Sequence, residues 1–214
     1  MYILFEGLDL SGKSTLCRVL KSALGWKMRH NTLLAPGANL SYQAASEAHR
    51  KNTGTVPEVG AEFLRALEFE LASFQTDTEP CIQDSTILLR SITYHTALGN
   101  HALAGRFLAL APRHPKPALA FLCRASVEAR LRRLEGRVSR RNDNPEDFLV
   151  RDNPEVFALM DATLAEMAVT LFGAETIDTS NLEDAEARAA LIKYLKERLE
   201  RSAADFGICA NQTP

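Results

Sequence analysis

Gly7-Leu8-Asp9-Leu10-Ser11-Gly12-Lys13-Ser14 sets two glycines, a lysine and a serine at the spacing G-x-x-x-x-G-K-[ST]. A loop built this way turns its backbone N–H groups inward around a polyphosphate, which makes Gly7, Asp9, Leu10, Ser11 and Gly12 candidate cradle residues. Lys13 would neutralise the β and γ oxygens, the Ser14 hydroxyl would ligate Mg²⁺, and Thr15 beside it would reach the α-phosphate. The implied ligands are ATP and Mg²⁺. The blander alternative is a glycine turn that merely joins two elements, and the flanking sequence weighs against it.

Ahead of the loop, Tyr2-Ile3-Leu4-Phe5 is an apolar, β-prone run. After it, Lys13 to Leu24 repeats Leu16, Val19, Leu20 and Ala23 on one helix face and stops at Gly25. Strand-like segments recur at Tyr2–Glu6, Pro80–Gln83 running into Asp84, Ala118–Cys123 and Glu175–Asp178. A weaker one, Thr32–Leu34, precedes the turn Ala35-Pro36-Gly37. Periodicity predicts helices over Pro57–Phe74, near Leu88–Leu108, from Asn153-Pro154-Glu155 to Gly173, and from Glu183 to Arg201. Strands alternating with helices predict an α/β fold: a parallel five-stranded sheet flanked by helices, with the site along the strands' C-terminal edge. One domain over residues 1–201 is expected, followed by a disordered tail at 202–214, where periodicity is lost.

Composition narrows the partners. With 46% apolar residues, 24% charged residues and a formal net charge of −2, the 214-residue chain has no bias towards nucleic acid or a membrane surface. Cys17, Cys81, Cys123 and Cys209 contain no C-x-x-C pair, and the five histidines show no H-x-x-x-H or H-E-x-x-H spacing. A disulfide framework and a metal other than Mg²⁺ are therefore not expected. No apolar run is as long as a membrane span, and the first strand leaves no room for a signal peptide. A reducing, cytoplasmic setting is expected.

Three further groups have chemical potential. Asp84 ends an apolar strand at the same sheet edge as the glycine loop. An acid there holds the water shell of Mg²⁺ or takes a proton from an acceptor hydroxyl; otherwise it starts a turn or caps the next helix. Seven arginines lie between Arg124 and Arg141, and Arg130, Arg133 and Arg137 share a helix face if the helix survives Gly136. Arg133, Arg137 and Arg141 are candidates to close over a transferring phosphoryl group from a lid spanning residues 132–152. The alternative is a solvated charged face paired with Glu128 and Glu135; a nucleic-acid surface would need interleaved aromatics. Phe63 and Tyr94 are candidates to stack a base, although aromatics at helical spacing are more often core.

Phe5-Glu6-Gly7-Leu8-Asp9 with Gly12-Lys13-Ser14-Thr15-Leu16 resembles the thymidylate kinase family of P-loop nucleoside monophosphate kinases, which reads F-E-G-x-D-G-x-G-K-[ST]-T in this place. Ala35-Pro36-Gly37 falls where that family carries R-E-P-G-G, and Gln83-Asp84-Ser85 where it carries D-R-[YH]. The arginine-rich stretch falls at the family's lid, and Ile177-Asp178-Thr179-Ser180 resembles its fifth-strand ending. The resemblance spans residues 1–200 and implies a P-loop NTPase fold, an ATP·Mg²⁺ donor and a possible homodimer. It also implies an acceptor pocket formed by Asp9 against the sugar, the Pro36-Gly37 turn, and Arg65 or Arg90 against an anion.

Three departures bear on the acceptor. Leu10 replaces the loop's second glycine, which a leucine tolerates at negative φ. Leu34 and Ala35 replace an Arg-Glu pair, and Ser85 replaces an arginine that holds the acceptor phosphate in the resembled family. Losing two guanidinium groups removes bidentate contacts to a dianion. The expected reaction is transfer of the γ-phosphoryl of ATP to a small-molecule acceptor: a nucleoside monophosphate or related nucleotide other than thymidine monophosphate. A hydroxyl of another metabolite and a non-catalytic ATP-binding switch are the competing readings.

Overall fold

Tyr2–Glu6 forms strand β1, and all five residues are buried. A strand apolar along its length needs cover on both faces, which a parallel sheet between helices provides. The computed structural model describes residues 1–30, 57–76, 79–140 and 145–205. Strands β2 (Lys27–His30), β3 (Cys81–Asp84), β4 (Leu119–Arg124) and β5 (Glu175–Asp178) join β1 in a five-stranded sheet of order β2-β3-β1-β4-β5. Every pairing is parallel. β1 is central, so the loop that leaves it is flanked by the C-terminal ends of β3 and β4.

The helices are α1 (Lys13–Leu24), α2 (Pro57–Thr76), α3 (Ile87–Ala97), α4 (His101–Leu110), α5 (Val127–Ser139), α6 (Leu149–Asp152), α7 (Pro154–Phe172) and α8 (Ala185–Asp205). Side chains of β1 alternate between two cores. Tyr2 and Leu4 pack with Leu89 and Tyr94 of α3 and with Met160 and Leu164 of α7. Ile3 and Phe5 pack with Leu16 and Leu20 of α1, Phe121 of β4 and Leu195 of α8. A third cluster ties α2 to α3 and α4 through Phe63, Leu67, Leu88, Ile92 and Phe107. Among the described residues, no helix is long and apolar enough to cross a membrane.

The strands expected around Tyr2, Ile82, Phe121 and Ile177 lie within a residue of their anticipated bounds. Three features differ. The helix expected near Leu88–Leu108 is two helices, α3 and α4, with the chain turning over Leu98–Asn100. A strand forms at Lys27–His30, a Lys-Met-Arg-His run with exposed ends. It sits at the edge of the sheet, where charged side chains discourage pairing with another chain and no apolar signal is needed. Helix α8 continues to Asp205, past the anticipated end at Arg201. The weak strand at Thr32–Leu34, the Pro36-Gly37 turn and the stretch from 206 onwards lie outside the described residues.

One buried carboxylate fixes where α3 begins. Glu70 of α2, 1% exposed, accepts from the Ile87 N–H at 3.0 Å and lies 3.3 Å from Nε2 of the buried His114. It satisfies a first-turn donor that a helix cannot satisfy internally. Glu70→Ala would leave that donor buried and unpaired. The variant is expected to lose about 2 kcal/mol of unfolding free energy, measured as an earlier urea midpoint.

Candidate active site

The loop from Gly7 to Gly12 leaves β1 and enters α1, and five successive carbonyls in it have partners. Leu8 O accepts from the Ser11 N–H at 3.2 Å, and Gly12 O from those of Thr15 and Leu16. Asp9 O accepts from Arg130 Nη1 at 2.5 Å, Leu10 O from Arg133 Nη1 at 2.8 Å, and Ser11 O from Thr179 Oγ1 at 2.6 Å. By contrast, the N–H groups of Leu10, Gly12, Lys13 and Ser14 meet no acceptor among the described residues. Unpaired amides converging at a helix N-terminus make an anion site. Both glycines are needed for the bend. A Cβ at Gly7 would stand 2.5 Å from the Cys123 carbonyl oxygen, and one at Gly12, where φ is 84°, 2.5 Å from Leu182 Cδ1.

Leu10 corrects the expectation of negative φ: its φ is 63°. It is the third residue of the Leu8–Ser11 turn, where a positive φ ordinarily calls for glycine. The left-handed conformation costs a leucine about 1 kcal/mol. Its side chain, 3% exposed, packs against Leu134 and Val150, and burial of that size contributes about 2 kcal/mol. Packing wins.

Lys13 and Asp84 meet where β3 ends beside the loop, and Ser14 follows Lys13 in the first turn of α1. Lys13 Nζ lies 2.6 Å from Asp84 Oδ1, and His30 Nδ1 is 3.4 Å from Oδ2. Burial would raise the pKa of Asp84, but the Lys13 charge and hydrogen bond, with help from Ser14 and His30, hold it below the usual carboxylate value. For Lys13, burial works against the ammonium, but the charges of Asp84 and Glu6 together with the Asp84 hydrogen bond outweigh it, so its pKa is raised. Glu6 was not singled out from the sequence. Buried at the end of β1, it accepts from Ser85 Oγ at 2.8 Å and from the Thr86 N–H and hydroxyl at 2.6 and 3.0 Å. Here burial wins over Lys13, Ser85 and Thr86, and the pKa is raised. These bonds also fix Ser85 in a left-handed conformation, φ 69°.

Among the described residues, two clefts flank the loop. On one side Glu6, Asp9, Ser85, Arg90, Thr93 and Tyr94 line a narrow cleft floored by Leu8 and Leu164. The Thr93 hydroxyl there is buried with no partner among the described residues. Asp9, Arg90 and Tyr94 thus share one cleft. Phe63 does not: it is 3% exposed and packs edge-on against His95 and Phe107 in the core. Arg65 is exposed on α2 and is not among the residues lining this cleft. Pro36, Gly37 and Arg141 lie outside the described residues.

On the other side Gly12, Thr15, Arg132, Arg133, Arg137 and Arg188 line a cleft of about 870 Å³, within the usual range for a nucleotide-sized ligand. Helix α5 runs unbroken through Gly136, as the shared arginine face requires. Its arginines are anchored rather than loose. Arg133 also donates to Thr179 O and to Glu183, and Arg137 pairs with buried Asp147 at 2.5 Å. Arg130, 1% exposed, is held by Ala125 O and Asp161. Sequence spacing placed these arginines on one face but gave no sign that two of them point at loop carbonyls.

No known family pattern and no curated protein matches the chain by sequence. Solved structures do match. A deoxyadenosine kinase from M. mycoides, with dCMP and dCDP bound, superposes with a TM-score of 0.65 at 16% identity, over 94% of this chain and 100% of that one. A thymidylate kinase from Candida albicans gives 0.64 at 19% identity, over 94% and 91%. The chain therefore shares its P-loop-like fold with these nucleoside and nucleotide kinases.

The Lys13–Asp84 pair carries a pH signature. Because the folded pKa of Asp84 is lowered, the pair contributes stability above the unfolded aspartate value, near pH 4, and loses it as pH falls through the folded value. Stability differences between wild type and Asp84→Asn are expected to shrink as urea unfolding is repeated at falling pH from about 5 downward. A difference constant across that range would contradict the assignment.

Proposed function

We propose that the protein transfers the γ-phosphoryl group of ATP to a small acceptor of the nucleoside or nucleotide class. The observation that carries this is the cradle of unpaired amides at the α1 N-terminus, with Lys13, Ser14 and Asp84 gathered at its mouth. The cradle suits a polyphosphate: its glycines admit close backbone approach, and its free donors are N–H groups. Ser14 and Asp84 offer the oxygen donors a hard divalent cation prefers. Magnesium held there would neutralise donor oxygens and orient the group being transferred.

The protein's part is positional. Amides of Leu10, Gly12, Lys13 and Ser14 hold the donor phosphates, and Lys13 moves its ammonium from Asp84 to the β and γ oxygens. Asp84, relieved of Lys13, would be free to hold the cation or its water. Its lowered pKa suits a permanently ionised metal partner better than a proton acceptor. Arg132, Arg133 and Arg188 surround the donor cleft, and Arg137 and Arg141 are the candidates to approach the transferring group. On the acceptor side Asp9, Arg90 and Tyr94 face the substrate.

Two acceptor chemistries are open to this geometry. A nucleoside monophosphate is supported by the likeness in element order, and one other than thymidine monophosphate by Ser85 standing where an anion-binding arginine is expected; Arg90 would be its anion contact. A hydroxyl acceptor is favoured by a specific observation: the described lining of the cleft holds one guanidinium, Arg90, with Ser85 rather than an arginine at the strand end. A dianion finds few cationic contacts in that lining.

Lys13→Ala is expected to lower ATP-dependent turnover by about a hundredfold or more, while near-normal turnover would overturn the donor assignment. Asp84→Asn is expected to depress kcat more than it weakens ATP binding. A change confined to acceptor KM would instead make Asp84 a pocket residue.

A further inference from the structure

We infer that Arg130, Arg133 and Thr179 are positioning residues of the donor cradle, gripping its carbonyls from outside and thereby fixing which way its N–H groups face. The inference rests on the donor reading above. In a trans peptide the C=O and the following N–H point in opposite directions. Arg130 on Asp9 O thus directs the Leu10 N–H, and Thr179 on Ser11 O directs the Gly12 N–H. Those two N–H groups meet no acceptor among the described residues. Arg130 and Thr179 stand outside the lining of the donor cleft, Arg133 stands in its wall, and Leu10 and Gly12 line it.

The turn explains why a grip is needed. With the Leu8–Ser11 hydrogen bond intact, the Asp9–Leu10 peptide has two orientations, those of type II and type I turns. The observed one requires positive φ at its third residue, and Leu10 adopts it at 63°. Flipping that peptide would return Leu10 to negative φ and relieve its strain, but it would turn the Leu10 N–H away from the phosphate site. Arg130 opposes the flip. Its guanidinium is buried, bonded to Ala125 O and Asp161, and lies over the Phe157 ring at 5.0 Å. Arg133, one helical turn on, holds Leu10 O and continues to Thr179 O and Glu183. Leu134 of the same helix packs on the Leu10 side chain. Helix α5 is thus the outer wall of the cradle.

The test is calorimetric titration with inorganic tripolyphosphate, which has no base or sugar, and with Mg·ATP. Arg130→Met keeps the buried volume and leaves Asp161 paired with Arg124. It is expected to weaken both ligands by the same factor, about tenfold, with acceptor KM unchanged. Adding Leu10→Gly to Arg130→Met is expected to recover part of the loss, because glycine holds positive φ without strain. Thr179→Val gives an independent reading if Arg130→Met does not fold, with the same parallel loss expected. Wild-type affinity for tripolyphosphate in the folded variants, or no recovery with Leu10→Gly, would overturn the inference. Wild-type protein that binds neither ligand would overturn the donor reading itself.

Discussion

A chain that binds an anion with its backbone must point several amides at the ligand and still satisfy every carbonyl that faces away. Much of this structure answers that constraint. β1 is central and wholly buried, so the loop that leaves it starts from a fixed strand end. Thr179, just after β5, and two arginines of α5 converge on three consecutive loop carbonyls. Residues more than a hundred positions apart in sequence therefore set the orientation of a six-residue bend.

Electrostatics at the mouth of the loop are decided by distance and burial together. Lys13, Asp84 and Glu6 are all largely buried, yet only Asp84 is within hydrogen-bond reach of the ammonium, at 2.6 Å. For that pair attraction outweighs desolvation and both groups are held charged. For Glu6 desolvation prevails even with Lys13 and two hydroxyls nearby. A buried ion pair of this kind contributes little net stability, but breaking it strands a charge. Under the proposed function, such an arrangement would suit an exchange of partners, with Asp84 free to hold a cation once Lys13 turns to the donor phosphates.

The sequence carried the frame well, because its central elements are defined by local rules. Apolar β1, the glycine loop and the amphipathic pattern of α1 were all readable, as were the Asn153 cap and Gly173 stop of α7. β2 was not, since an exposed edge strand has no apolar signature. The left-handed Leu10 was misjudged because its conformation is imposed by Arg130, Arg133 and Leu134, which lie far along the chain. Glu6 could have been noticed: an acid closing an apolar central strand must find donors, and it finds them on Ser85 and Thr86. Phe63 shows the opposite error, a ring at helical spacing that serves the core.

The central claim is that this site moves a phosphoryl group rather than merely holding a nucleotide. The most direct test follows the γ-phosphorus of ATP by ³¹P NMR, with Mg²⁺ present, against a panel of nucleosides, nucleoside monophosphates and hydroxylated metabolites. The account predicts that the label appears on an acceptor in step with ADP. ATP that binds tightly and stays intact, or that yields only inorganic phosphate with every acceptor unlabelled, would contradict it.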